Sequence, residues 1–114
     1  FKYDFDTANG IADPGAGKVR LNSTTQNTAT RLIIDDTDIN GIDIQSFLRT
    51  IDDSSSTIKG HVRMSNTIDS TQFLLFTISS LTEATGYFDV TVASIASSTN
   101  SPFTNGEDVI INRT

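Results

Sequence analysis

Alternating oxygen-bearing side chains in the first half of the chain form the motif most suggestive of chemistry. Asp36, Asp38 and Asn40 precede Gly41, as ligands at alternate positions precede the sharp turn in a calcium-binding loop. The second half of such a loop does not fit, because Phe47 stands where a bidentate Glu is needed. We therefore favour a polar turn that caps a helix. The alternative is a calcium site with Asp36, Asp38 and Asn40 as candidate ligands, and we expect no other cofactor.

The stretch from Ala12 to Val19 differs by one residue from a phosphate-binding loop. Val19 occupies the position of the hydroxyl that would hold magnesium, and a phosphate-binding loop opens a helix after a buried parallel strand. The residues from Lys18 onward instead alternate between polar and apolar, which is typical of a half-solvated strand. We therefore interpret residues 12–17 as a Gly-rich hairpin connection.

The remaining candidates for catalysis lack the partners that catalysis needs. His61 is the only histidine and falls on the polar face of a predicted strand, beside Lys59 and Arg63, whereas a catalytic base requires converging groups. The adjacent carboxylates at 35–36 and 52–53 would diverge on a strand, but a glycosidase pair converges across a cleft. The sequence predicts a protein that is not an enzyme and has no catalytic residues.

Side-chain alternation with a period of two dominates the chain and predicts strands. In most of the predicted strands apolar side chains recur at every second position, and clusters of Asn, Asp, Ser, Gly and Pro separate the strands. The predicted strands cover residues 1–6, 18–22, 31–35, 57–65, 72–79, 87–95 and 108–112. Short strands between turns indicate an all-β fold, either an antiparallel, jelly-roll-like β-sandwich or an open barrel.

One segment departs from the strand pattern and predicts a helix. Its apolar residues are spaced by three, four and seven positions, as on one face of a helix: Ile44, Phe47, Leu48 and Ile51. We predict a short helix over residues 43–50 that plugs one end of the β structure. Asn40 or Asp43 is expected to cap its first amides.

Composition limits the number of domains and the partners. A chain of 114 residues with 36% hydrophobic residues fits one folded domain, which we place over residues 1–114. The net charge of −6 disfavours nucleic acid and anionic membranes, because both select clustered Lys and Arg. The chain has no Cys, and small domains without disulfides often gain stability by oligomerisation. Phe1 at the first position suggests part of a longer polypeptide.

Five short phrases of the sequence form a recognisable set: DPGAGKVRLN at 13–22, IDDTD at 34–38, STIKG at 56–60, LTEATGY at 81–87 and FTNG at 103–106. Together they resemble a module of bacteriophage fibre-like structural proteins, where it accompanies collagen-like Gly-x-y stretches. This chain contains no such stretch. The resemblance implies a virion structural protein, either a tail fibre, a head fibre or a decoration module. It also implies a homotrimer on the virion surface, with roles in assembly and host attachment.

The aromatic side chains of the first predicted strand have two interpretations. Phe1, Tyr3 and Phe5 form a stripe on one face. We favour the core, since the apolar face of a strand usually serves its own domain. The alternative is an interface in which the three rings pack around the threefold axis of a trimer.

A carbohydrate-binding module, or a subunit of an extracellular filament, is the alternative function. Loops rich in Asp and Asn suit sugar hydroxyls, and Tyr87 is a candidate for stacking on a sugar ring. The short supply of aromatic side chains weakens this alternative. The expected partners are copies of the chain, other virion proteins and a glycan of the host surface.

Overall fold

The strands of the computed structural model, which describes residues 1–53 and 57–113, form a closed barrel. The strands of the described part are β1 (Lys2–Asp6), β2 (Lys18–Leu21), β3 (Arg31–Asp35), β4 (His61–Asn66), β5 (Phe73–Glu83), β6 (Tyr87–Ser97) and β7 (Asp108–Arg113). Their order around the barrel is β1-β2-β3-β6-β5-β4-β7, and β7 pairs with β1 to close it. The helix α1 spans Gln45–Arg49, and 3-10 turns span Gln26–Thr28 and Thr50–Asp53.

Most of the side chains that alternation predicts to face inward are buried in the barrel. In β5 and β6 every second residue is buried over the first half of the strand: Leu74, Phe76, Ile78, Phe88, Val90 and Val92. The seven predicted strands are confirmed, although two boundaries move by four residues and others by one or two. β4 begins at His61 because the preceding Gly60 has a φ of +126°, which is outside strand geometry. β5 continues to Glu83 because its second half pairs with β6.

The direction of one strand pair and the closure of the sheet differ from the prediction. β1 and β2 run parallel, with Phe5 opposite Val19, whereas the other pairs of the barrel are antiparallel. The prediction of an antiparallel sheet is therefore wrong for this pair, and the sandwich is not confirmed because the sheet closes on itself. The hairpin predicted over 12–17 is also wrong. Parallel strands need a crossover, which residues 7–17 supply.

The two ends of the barrel are covered by different segments. β1 runs from one end to the other, because Phe1 at its start contacts Phe47 of α1 and Phe5 near its end contacts Phe103. The end that carries α1, closed by the buried side chains of Ile44, Leu48 and Ile51, is the helix-capped end. The end closed by Gln26, Ala29 and Phe103 is the loop-capped end.

The predicted helix is confirmed, with shifted boundaries. It begins at Gln45 and continues beyond Arg49 as a 3-10 turn. Of the two predicted capping residues, Asp43 bonds a first-turn amide, since its Oδ1 accepts a hydrogen bond from the Gln45 amide at 2.9 Å. The polar cluster at 52–56, which the sequence assigns to a turn before the fourth predicted strand, falls largely outside the described residues. No helix in the described part of the chain is long and apolar enough to cross a bilayer.

Candidate functional site

Several loops meet at the helix-capped end and bring carboxylates together. The β5–β6 turn is tied to the residues after β3, because the Asp36 amide donates to the Gly86 carbonyl at 3.1 Å. The segment before α1 is tied to the same residue by the Ile44 amide, which donates to the Asp36 carbonyl at 2.9 Å. The crossover joins through the Gly17 amide, which donates to the Thr37 carbonyl at 3.2 Å. Distant parts of the chain therefore build this site.

Asp35 is a buried carboxylate of this cluster, with 5% of its surface exposed. Its Oδ2 accepts hydrogen bonds from the Thr37 amide (3.0 Å) and hydroxyl (2.9 Å), and the carboxyl group of Asp13 on the crossover interacts with it electrostatically. Burial raises the pKa of Asp35 above its ordinary value, and Asp13 raises it further, although the bonds from Thr37 act in the opposite direction. Two neighbouring carboxylates repel each other when both are ionised, so this interaction depends on pH.

The negative charge of the cluster affects neighbouring groups. Burial, followed by the charges of Asp35 and Glu83, raises the pKa of Asp36, whose Oδ1 is buried and has no hydrogen-bond partner among the described residues. The Tyr3 hydroxyl donates to the Asp35 carbonyl at 2.9 Å, and burial raises the pKa of Tyr3. Arg49 offsets part of the charge, because its guanidinium bonds the Glu83 carboxylate at 2.9 and 2.6 Å and lowers the pKa of Glu83.

The candidate calcium ligands lie in the turn after β3, and one of them has a structural role. Asp38 Oδ1 accepts hydrogen bonds from the amides of Asn40 and Ile42, both at 2.9 Å, which is the geometry of an Asx turn. Asn40 is exposed and Asp36 is partly buried. In the described part of the chain, no group of three or more His, Cys, Asp or Glu side chains is arranged to hold a metal ion. Calcium binding stays a prediction.

Exposed apolar side chains also gather at the helix-capped end. We define the helix-end patch as Phe1, Ile39, Ile42 and Phe47, which are 37–53% exposed. The rings of Phe1 and Phe47 lie 4.9 Å apart between centroids. The Ile39 amide donates to the Lys2 carbonyl at 2.9 Å, so the turn that carries Ile39 and Ile42 lies beside the start of β1. Apolar side chains gathered on a surface are typical of interaction sites.

The N-terminal aromatic stripe is divided between core and surface. Tyr3 and Phe5 are 0% and 2% exposed, in agreement with the favoured interpretation as core. They therefore offer almost no surface to a partner, and only Phe1 of the three proposed interface residues is accessible. Tyr87 is partly buried on β6, opposite Asp35. Its role in ligand binding stays a prediction.

The described residues enclose little free space. The cavity beneath α1 inside the barrel has a volume of about 20 Å³ and an apolar lining, and a cavity beside Phe5 and Gln26 has about 70 Å³. A depression lined by Gln72 and Pro102 has about 440 Å³ but is open to solvent, and another beside Asp4 has about 200 Å³. Small-molecule sites are usually concave clefts of about 300–1,000 Å³ that bury most of the ligand.

The residues considered for catalysis lie in separate places. Lys18 begins strand β2 and no helix follows it directly, which agrees with the rejection of a phosphate-binding loop. His61 is partly buried at the start of β4, opposite Thr77. Asp35 is buried at the end of β3, whereas Asp36 follows the strand and is partly exposed. The side chains of the second carboxylate pair, 52–53, lie outside the described residues.

The loop-capped end is closed by hydrogen bonds that the sequence analysis missed. Gln26 is 5% exposed, and its Nε2 donates to the Phe103 carbonyl at 2.7 Å while its Oε1 accepts from the Phe103 amide at 3.0 Å. Glu107 Oε2 accepts hydrogen bonds from Asn66 Nδ2 (2.8 Å) and Gln72 Nε2 (2.7 Å). The sequence signal for this contact was Phe103, an apolar residue within a polar stretch, but no local sequence pattern pairs Phe103 with Gln26.

Comparison with known proteins gives no match, so the interpretation of this site rests on its geometry. No family model matches the chain, and no curated protein or solved structure gives a significant match. The helix-end patch and the carboxylate cluster beside it are therefore interpreted from their own contacts.

Proposed function

We propose that this chain is a non-enzymatic structural module of a bacteriophage particle, a fibre or decoration domain displayed on the virion surface. It acts by packing against copies of itself and against other virion proteins. The observation that carries the proposal is a closed, filled barrel whose exposed Phe side chains lie together at one end. The sequence phrases that resemble fibre-like proteins support the same function.

The helix-end patch is the surface that we assign to assembly. Its four side chains are each about half exposed, so burying the exposed parts contributes about 1 kcal/mol per side chain, roughly half of the value for full burial. Association costs about 4–15 kcal/mol in lost translational and rotational freedom. The patch alone therefore supports a weak contact, and polar contacts around it must contribute to a stable trimer.

The alternative of a carbohydrate-binding module gains little from the geometry. A stacking aromatic must present its face to the sugar, whereas Tyr87 is partly buried. The open depression beside Gln72 and Pro102 has no aromatic side chain among its lining residues: Asp69, Thr71, Gln72, Ser98, Thr99 and Pro102. Host attachment through a glycan stays secondary to assembly.

The test of the proposed function is the native mass of the chain across a dilution series. We expect a species of three times 12.3 kDa at high concentration, which dissociates on dilution because the patch contributes only a few kcal/mol. Native mass spectrometry and light scattering after size exclusion measure the mass. A mass of 12.3 kDa at every concentration would contradict the proposal.

A further inference from the structure

Three Asn-Gly pairs occur in the sequence, at 9–10, 40–41 and 105–106. In such a pair the glycine amide nitrogen can attack the Asn side-chain carbonyl carbon, because glycine has no Cβ to restrict the backbone or obstruct the approach. The new C–N bond closes a succinimide ring, and the side-chain nitrogen leaves as ammonia. Water then adds to either ring carbonyl and opens the ring, which gives Asp or isoaspartate. Water is the only co-reactant.

The pair at 105–106 is protected by hydrogen bonds on both reacting groups. Asn105 Oδ1 accepts from the Thr7 amide at 3.1 Å and from the Thr7 hydroxyl at 3.3 Å. The Gly106 amide donates to the Phe5 carbonyl at 2.7 Å. The attacking nitrogen and the side-chain carbonyl are therefore each held by another part of the chain, and both must be released before the ring can close.

The pair at 40–41 is protected at its nitrogen only. The Gly41 amide donates to the Asp38 carbonyl at 3.0 Å, and the Asn40 amide donates to Asp38 Oδ1 at 2.9 Å. The Asn40 side chain is exposed. This turn must lose the Gly41 bond before the nitrogen can attack, so we expect a rate between those of the other two pairs.

The pair at 9–10 is unprotected. Within the described part of the chain, neither the Asn9 side chain nor the Gly10 amide makes a hydrogen bond, and both residues are exposed outside any strand or helix. Gly10 uses only its carbonyl, which accepts from Arg20 Nη1 at 3.2 Å and from the Ala12 amide at 3.1 Å. The attacking nitrogen is therefore free to approach the Asn9 side chain.

We propose that Asn9 is a site of spontaneous deamidation in this protein. The product alters the crossover between β1 and β2. An isoaspartate adds a backbone atom next to Gly10, and the new carboxylate lies one residue from the carbonyl that binds Arg20. It competes there with Asp6, whose Oδ2 bonds Arg20 Nη2 at 2.7 Å. The modification thus acts on the contacts that hold the crossover to β2.

Incubation of the intact chain at mildly alkaline pH, followed by peptide mapping with mass spectrometry, tests the proposal. We expect Asn9 to react about tenfold faster than Asn105, the factor that a net loss of one or two hydrogen bonds implies. Solvent enriched in heavy oxygen should label the product at Asn9. In the denatured chain the three pairs should react at similar rates, because each Asn is followed by Gly.

The variant Gly10→Ala is the matched control. An added Cβ would lie 3.8 Å from Arg20 Nη1, an ordinary contact, and Gly10 does not have a positive φ. The variant should therefore fold, yet react at Asn9 more slowly than the wild type. Reaction at Asn105 or Asn40 before Asn9 in the folded chain would overturn the proposal, as would equal rates at Asn9 in the wild type and the variant.

Discussion

The two ends of the barrel are closed by different kinds of interaction. At the helix-capped end Leu48 points into the barrel, while Phe47 beside it is 37% exposed and contacts the ring of Phe1. At the loop-capped end Gln26 bonds both the amide and the carbonyl of Phe103. Apolar packing continues to the surface at the first end, whereas hydrogen bonds complete the second.

This difference explains why we assign assembly to the helix-capped end. A helix of five residues buries one face and leaves the other in contact with solvent, because its side chains radiate around the axis. Hydrogen bonds between Gln26 and Phe103 are directional and are satisfied within one chain. The helix-capped end can gain stability from a partner, while the loop-capped end has less to gain.

The largest expected effects come from removing the apolar side chain that closes each end. Phe103→Ala should lower the free energy of unfolding by about 3–5 kcal/mol and Leu48→Ala by about 2–5 kcal/mol, since each leaves a cavity in the core. Chemical denaturation measures both. Ile68→Ala is the control, because Ile68 is 96% exposed, and it should change stability by less than about 0.5 kcal/mol. A loss as small as the control at either end would show that the side chain does not close it.

An effect of comparable size is expected when the hydrogen bonds of the loop-capped end are removed. Gln26→Ala leaves the amide and carbonyl of Phe103 buried without partners, which should cost about 1–3 kcal/mol for each unsatisfied group. Gln45→Ala on α1 is the matched control, since the bonds of Gln45 to Asp43 and Arg49 are exposed. Equal losses from the two variants, measured by denaturation, would mean that the Gln26 bonds are not what closes this end.

Two carboxylates, Asp35 at the helix-capped end and Asp69 in the β4–β5 turn, should give opposite dependences of stability on pH. The pKa of Asp35 is raised from 3.8 by burial, so the native state binds its proton more tightly than the unfolded chain does. Its contribution to stability is present below the unfolded pKa and is lost as pH rises through the native pKa. The pKa of Asp69 in the β4–β5 turn is lowered by the Thr71 hydroxyl, so its contribution is lost as pH falls.

The variant Asp35→Asn tests the predicted direction in which stability changes with pH at the helix-capped end. The amide can accept hydrogen bonds from Thr37 as the carboxylate does, and it carries no titrating proton. Melting temperatures should therefore fall less for the variant than for the wild type as pH rises above 3.8. Asp69→Asn should instead reduce the loss of stability on acidification. If the melting temperatures of Asp35→Asn and the wild type change with pH in parallel, the raised pKa of Asp35 is contradicted.

Most of the fold could be predicted from local patterns, but the strand pairing could not. Alternation identifies the inward residues of β5 and β6 because the period of two is a property of each strand alone. The parallel pairing of β1 with β2 depends on bonds between residues far apart in the sequence, such as the Asp4 amide to the Gly17 carbonyl at 2.8 Å. No local pattern carries that information.

The candidate site was predictable only in part. Asp36 and Asp38 were identified as a polar turn, but Asp13 and Glu83 reach the same end from other segments. The helical spacing placed Phe47 on one stripe with Leu48, although the helix leaves Phe47 37% exposed. A stripe predicts which face turns inward, while the length of the helix and the width of the barrel decide how much of it is covered.

The most direct test of assembly at the helix-capped end compares two double variants by native mass. Ile39→Ser with Ile42→Ser removes half of the helix-end patch, whereas Ile68→Ser with Ile95→Ser removes two aliphatic side chains that are at least as exposed elsewhere. We predict that the wild type and the second variant form a trimer, while the first has a mass of 12.3 kDa at the same concentration and keeps a wild-type circular dichroism spectrum. A trimer that persists in the first variant and dissociates in the second would contradict the account.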